Sequence, residues 1–382
     1  MTVNSMYIAD LEICTPLSNS VAELSKKIQA NENEFRLSNY YGHLGQEINM
    51  SLCDSQSFSK KLDPKINFNR CHRDKTLIQM AEQALTPLLT RFKQYSPTLA
   101  PLIVALPEQI PQHKPLAPDQ LANSIRQHLG ESAEMIHWNQ VMPVTIGRAG
   151  VLAALSLAQK LFQQNNGIEL IIIGGLDSYR HSALLRDLSK QQRIAMTGSN
   201  GFVAGEGAGF LVVTNNKKYA LNVNEGYVKL HTPGLAIEQG HLNSQEPNLA
   251  QGLTNAIKMA LDASPDLPVN QIYSSMNGEA IWYEEHIAST LRHRHQLAVN
   301  IAEKTTSSAY NIGDIGSASG AISLALSAHT LFSDALPQRH LITTSSDKNQ
   351  RSAVCLTFEP TKASRAATKE TQESVHNEQD DR

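Results

Sequence analysis

Two short stretches of this chain echo each other across half its length. Ile146-Gly147-Arg148-Ala149-Gly150 precedes a helical pattern containing Ser156-Leu157-Ala158 and then Leu161-Phe162. Ile312-Gly313-Asp314-Ile315-Gly316 precedes one containing Ser323-Leu324-Ala325 and then Leu331-Phe332. Matching glycine elbows ahead of matching helices imply a duplicated βαβ unit, with chance similarity between small-residue helices as the competing explanation. The first elbow, Val144 to Gly150, leads out of a strand or loop into an amphipathic helix. A helix N-terminus offers unpaired N–H groups and the positive end of a dipole, so in an α/β protein an elbow there commonly presents a nucleophile. The side chain presented is Arg148, which cannot be a nucleophile and never loses its charge.

The remaining pattern is that of a large α/β chain. Strands are expected at Met6 to Ile13, Leu99 to Leu106, Ile168 to Ile173, Phe210 to Val213, Gln271 to Met276, Leu297 to Ile301, His340 to Thr344 and Ala353 to Phe358. Helices are expected after Ser20, whose hydroxyl can cap Val21 to Ala30, and at Arg73 to Phe92, Pro118 to Leu129, Pro247 to Ala263, Ile281 to Leu291 and Ser317 to Phe332. Asn31 to Lys65 reads as polar and irregular. Gly201 to Gly209 leads into a strand and lacks a following Lys-Ser/Thr, so it fits close strand packing and not a phosphate loop.

Composition narrows the function. Of 382 residues 41% are hydrophobic and 18% charged, enough for a large core. The formal charge is -3 with no dense basic cluster, which argues against nucleic acid as a partner. No run reaches the ~18 apolar residues of a spanning helix, and no leader pattern opens the sequence, so a soluble cytoplasmic protein is expected. Cys14, Cys53, Cys71 and Cys355 have neither CxxC nor disulfide-framework spacing and read as reduced thiols. The fourteen histidines show no HExxH or paired spacing, so neither metal nor cofactor is expected. Trp282 reads as core filler, and Arg180-His181 and Arg292 to His295 as solvated faces or helix-end charges.

Several motifs, in order, carry a resemblance. Thr15-Pro16-Leu17-Ser18-Asn19, Ala154 to Ala158, Ile173-Gly174-Gly175-Leu176-Asp177, Gly201 to Gly209, Asn311-Ile312-Gly313 and Ala318-Ser319-Gly320 together resemble the β-ketoacyl-acyl-carrier-protein synthases of the thiolase superfamily. The resemblance runs from about residue 7 to residue 358. It implies a five-layered α-β-α-β-α fold made of two similar βαβαβ halves, over 1–215 and 216–360; residues 361–382, with hardly any large apolar side chain and many polar and charged ones, are expected from composition to form a disordered tail. It also implies a dimer, homodimeric or paired with a related synthase, with Glu134 to Asn139 at the contact.

The family's chemistry uses a cysteine nucleophile and two histidines, which form a thioester and stabilise the decarboxylating donor. By the resemblance the cysteine's place falls on Arg148 and the histidines' places on Asn277 and Asp314. The family lysine would fall near Ala309, with Lys304 out of register, and the glycine-rich turn is replaced by Ser346 to Arg351. No catalytic residue is therefore expected. Because the two sites converge across the pseudo-twofold, Arg148 and Asp314 are predicted to pair. The resulting expectation is a pseudoenzyme acting by binding, as a partner of an active synthase, of an acyl carrier protein, or of an effector in a type VI secretion setting. The enzymatic alternative is an acyltransferase or thioester hydrolase working without the cysteine.

Overall fold

The computed structural model describes residues 5–361 apart from 57, 63–71, 97, 109–116, 165–166 and 196–199. Cys71 and the predicted tail from residue 362 onward lie outside the described residues.

Strands are named in chain order: β1 (Met6–Cys14), β2 (Arg36–Tyr41), β3 (Glu47–Ser51), β4 (Ala100–Ala105), β5 (Ile136–Val144), β6 (Leu170–Ser178), β7 (Ala204–Thr214), β8 (Gly226–Leu230), β9 (Gly234–Ile237), β10 (Val269–Ser274), β11 (Thr305–Thr306), β12 (Arg339–Ser345) and β13 (Gln350–Pro360). The helices are α1 (Val21–Gln29), α2 (His72–Tyr95), α3 (Pro118–Leu129), α4 (Gly150–Gln164), α5 (Ser182–Lys190), α6 (Gln251–Asp262), α7 (Ala280–Arg292), α8 (Ala309–Ile312) and α9 (Ser319–Asp334).

The duplication is written in the strand order. One half of the sheet runs β1-β7-β6-β4-β5 and the other β8-β13-β12-β10-β11. In each half the first two pairings are antiparallel and the last two parallel. The halves meet where β1 pairs with β8 at Met6–Leu230 and Tyr7–Lys229. A hydrophobic cluster between them holds Val151, Leu155 and Phe162 of α4 with Ala321, Leu324 and Leu331 of α9. Helices α2 and α3 cover the outer face of the first half and α6 that of the second. Helix α9 is buried on nearly all sides, its serines included, as suits a helix enclosed between layers, and α4 is largely buried too. This is the thiolase-like layered α/β fold that the sequence implies.

Two of the singled-out glycines bring the halves into contact. A Cβ on Gly175 would lie 2.2 Å from the Ser317 carbonyl oxygen, and one on Gly205 would lie 2.4 Å from that of Ile312. Only a hydrogen in the side-chain position permits that approach.

Three sequence expectations are corrected. The stretch taken as irregular contains the β2–β3 hairpin, whose first strand is largely exposed and so lacks an apolar alternation to reveal it. Leu297 to Ile301 is not a strand; only Leu297 bridges to Val269, and the neighbouring edge strand is the two-residue β11. The elbow echo is also out of register. Gly147 and Gly316 both have positive φ, at 67° and 49°, and each opens a 3-10 turn leading into its helix. The structural equivalents are therefore Ile146 to Gly150 and Ile315 to Ser319, three residues beyond the literal match. Ser317, not Asp314, stands where Arg148 stands in the other half.

Candidate functional site

The first elbow is built by β5 ending at Val144 and by Gly147, whose φ of 67° turns the chain into the helix. There is no room for a larger residue: a Cβ on Gly147 would lie 2.6 Å from Glu108 Oε2. Each elbow is tied down by a side chain at the far end of the other half's sheet. Ala149 N donates to Ser346 Oγ at 3.0 Å, just past β12. Ser317 N donates to Asp177 Oδ2 at 3.1 Å, at the end of β6. The helix-end N–H groups are thus partly engaged from within the chain.

Arg148 is 3% exposed. Its Nε donates to Asp314 Oδ1 at 3.2 Å, its Nη2 to Asp314 Oδ2, and its Nη1 to Asp347 Oδ1 at 2.7 Å. The predicted pairing of Arg148 with Asp314 is present, as a two-pronged contact. Asn277 Nδ2 donates to the same Asp314 Oδ2 at 2.8 Å, Tyr179 OH to it at 3.4 Å, and Gly316 N to Oδ1 at 2.9 Å. The three positions implied by the resemblance, Arg148, Asn277 and Asp314, therefore converge on one buried carboxylate.

Residues that sequence reasoning missed extend this network. Arg193 donates through Nη1 to Asp347 Oδ2 at 2.7 Å and grips Glu279 through Nε at 2.7 Å and Nη2 at 2.9 Å. Glu279 also receives Asn277 Nδ2 at 3.1 Å and Trp282 Nε1 at 3.0 Å. Trp282 is buried, as expected, but it also has the Arg148 and Arg351 guanidiniums 5.5 and 5.4 Å from its ring centroid. The substituted turn Ser346 to Arg351 pointed to Asp347's location but not its role. Arg193 carried no sequence signal. Lys304 lines a different cavity, beside Asn270 and Tyr273, and takes no part here.

Burial alone would raise the carboxyl pKa of Asp347, but Arg193 and Arg148 outweigh it and hold that pKa well below the carboxylate range. Burial likewise opposes charge on Arg148, and the carboxylates of Asp314 and Asp347 overcome it. Glu108 behaves in the opposite way. Burial, and then the nearby Asp347 charge, push it up to about 7 despite Arg148 and the Lys348 N–H. Two arginines face three fixed acids, so the inner network is acid-rich, and donors from Asn277, Tyr179 and Trp282 complete it.

A cavity of about 510 Å³ opens beside the elbow, with Gly147, Arg148, Tyr179, Leu184, Leu188 and Asp347 among its lining residues. None of the cysteines described reaches it. Cys14, Cys53 and Cys355 are 1%, 5% and 0% exposed in the core. Burial, after a contact with Cys14, raises the Cys53 thiol, and burial takes Cys355 to about 11. Such thiols are inert at neutral pH. Among the described residues no group of three or more His, Cys, Asp or Glu could hold a metal ion, and no helix is long and apolar enough to cross a membrane.

Of the pair read as solvated faces or helix-end charges, Arg180 is neither, whereas His181 does stand at a helix end. Arg180 Nε and Nη2 grip the fully buried Glu206 at 2.8 to 3.0 Å, and Nη2 also donates to the Cys53 carbonyl at 2.7 Å. His181 Nδ1 accepts from Leu184 N at 3.1 Å and caps α5. Arg292 matches the helix-end expectation, donating to the Leu249 and Ala250 carbonyls.

The sequence matches no family model and no curated protein. The fold, by contrast, is similar to that of solved ketosynthases. It superimposes with a TM-score of 0.66 on a ketosynthase from module 6 of the bacillaene synthase of Bacillus subtilis 168, at 14% identity over 92% of this chain and 72% of that one. More particularly, it superimposes on the ishigamide ketosynthase/chain length factor, at 0.66, 13% identity, and 94% and 99% coverage. A ketosynthase in complex with its chain length factor from Xenorhabdus doucetiae gives 0.69, 12%, 92% and 98%. At these identities the likeness shows the fold.

Proposed function

We propose that this protein is a ketosynthase-fold subunit without condensing chemistry, acting by binding a related partner. One observation carries the reading. The elbow that would present a nucleophile presents Arg148, locked against Asp314 and Asp347 in a buried network that also absorbs Asn277. Arginine offers no lone pair for attack on a thioester, and a buried Asp314 anion opposes any oxyanion forming beside it.

The edge of the sheet supports a partner role. The sheet ends in β11, of two residues, and in β5, of nine. Of these two ends, as described, β5 is the one long enough to pair along its length with another strand. It contains Ile136 to Asn139 of the predicted contact, and the half-buried Trp138 packs at its base. A chain length factor is one subunit of a complex with a ketosynthase in the Xenorhabdus structure, and we assign this chain an equivalent accessory place. The partner classes are a related synthase, an acyl carrier protein, or a secretion effector. Co-expression with the synthase encoded nearest to it, followed by light scattering, tests this reading. A stoichiometric complex is expected, and a clean monomer under all pairings contradicts it.

One observation favours the hydrolytic alternative. Glu108 stands over the elbow with a pKa of about 7, suitable for activating water. Thioester cleavage lost in Glu108→Gln would establish that reading.

A further inference from the structure

Helix α7 is turned inside out. Its buried face carries Glu285, His286, Ser289 and Thr290 around Trp282. Those polar groups are met from within: Glu285 accepts from Arg351 Nε at 2.7 Å and Ser345 Oγ at 2.6 Å, and Ser289 and Thr290 donate to the His286 carbonyl. The outer face carries Tyr283, Ile287 and Leu291, which are 56%, 37% and 61% exposed. A surface helix ordinarily has the opposite polarity. At i, i+4 and i+8 the three form one stripe about 12 Å long. Leu249, 63% exposed, extends it at the C-terminal end, where its carbonyl accepts from Arg292 Nη1 at 2.9 Å. A contiguous apolar patch of this kind marks an interaction surface.

The charges beside the stripe say what covers it. Glu284 and Arg292 are both exposed, and they stand four residues to either side of Ala288. Helical geometry puts both on the same flank of the stripe. Glu284 has no ion pair among the described residues. Arg292 donates through Nη1 to the Leu249 and Ala250 carbonyls and to Thr254 Oγ1, and has no carboxylate partner among those residues. Opposite charges at equal distances from one central residue make the face complementary to itself. A second copy can lay its α7 antiparallel across the first, about a twofold axis near Ala288. Stripe then meets stripe, and Glu284 of each copy comes level with Arg292 of the other, as a twofold contact requires.

We infer that the outer face of α7 is a self-association surface, covered by the antiparallel α7 of a second copy of this chain. The surface belongs to the second half of the chain and is separate from the β5 edge of the first. It does not depend on the partner role, and a chain paired through β5 keeps α7 for its own copy.

The test is sedimentation equilibrium of the full chain by itself, with the variants Glu284→Arg, Arg292→Glu and Ile287→Glu. The native chain is expected to associate reversibly. Either charge reversal alone sets like charges opposite each other at both ends of the contact and should weaken association by about tenfold or more. An equal mixture of the two reversals restores both pairs and should associate as the native chain does, whereas Ile287→Glu should abolish association. If the chain also pairs with itself through β5, these variants halve the mass of the assembly instead of releasing monomers. A native chain that fails to associate up to about 100 µM overturns the inference, as do undiminished association of Glu284→Arg or Ile287→Glu and a mixture that stays dissociated. If Arg292→Glu fails to fold because the Leu249 and Ala250 carbonyls lose their donor, Glu284→Arg and Ile287→Glu decide the matter. A native chain that does not self-associate but forms the complex with a synthase overturns this inference and leaves the partner reading standing.

Discussion

Arg148 and Asp314, 166 residues apart, meet at the centre of the fold through two donor–acceptor contacts, with side chains 4% and 1% exposed. Neither stands at the pseudo-symmetric equivalent of the other. Arg148 belongs to the first elbow itself, whereas Asp314 precedes the second, so the pair crosses from one half of the chain to the other asymmetrically. Its environment is too dry for either charge to be left alone.

Arg148→Ala is therefore expected to destabilise the protein by about 3–5 kcal/mol, because it strands Asp314 in a buried site. Replacing both partners, as Arg148→Met with Asp314→Leu, is expected to recover most of that loss. The two single variants and the double, measured by urea denaturation, give the coupling directly. A double variant as unstable as the sum of the singles would mean that the pair is not energetically coupled.

Glu108 gives a pH signature of unusual sign. Its folded pKa of about 7 lies above its unfolded value of 4.5, so the folded chain binds the extra proton between those limits. Its contribution is fully favourable below about 4.5 and is lost as pH rises through 7. Glu108→Gln should therefore be more stable than the native chain at pH 8, by roughly 1–3 kcal/mol. The difference should vanish near pH 5, as read by thermal melts at the two pH values.

Three buried histidines act in the other direction. Burial is the largest cause of a depressed pKa, about 4, at His231, His286 and His340, against 6.5 when unfolded. Stability from these groups is present above pH 6.5 and is lost as pH falls towards 4, by up to roughly 3 kcal/mol each. Three such losses outweigh the single gain at Glu108. Denaturant midpoints are expected to fall steeply between pH 6.5 and 4.5, and a midpoint that holds or rises there would contradict the burial of these rings.

Much of the frame was legible in the sequence because it rests on glycines and periodicity. Gly175 and Gly205 stand where the halves press together, and the apolar runs of β4, β6 and β7 leave little choice of element. The hairpin at Arg36 to Ser51 was not legible, since an exposed strand needs no hydrophobic alternation. The elbow register was misread by three residues, because a literal Ile-Gly match outweighed the backbone need for positive φ at Gly316. At the site, Arg148, Asn277 and Asp314 were found through motif position. Arg193, Glu279 and Glu108 were not, because their roles come from long-range convergence that spacing along the chain does not encode.

The cysteines supply a chemical control. Cys14, Cys53 and Cys355 should resist iodoacetamide under native conditions and react after unfolding, as mapped by peptide mass spectrometry. Fast native-state labelling of any of the three would reveal a reactive thiol where the fold places an inert one.

Whether the elbow has exchanged its reaction for a charge network is decided by intact-protein mass spectrometry after incubation with acyl and malonyl thioesters. No acyl adduct on the chain is expected, together with no release of carbon dioxide and no thioester cleavage above a buffer blank. A stoichiometric acyl adduct, or turnover abolished by Asn277→Ala or Asp314→Ala in variants shown to be folded, would contradict it.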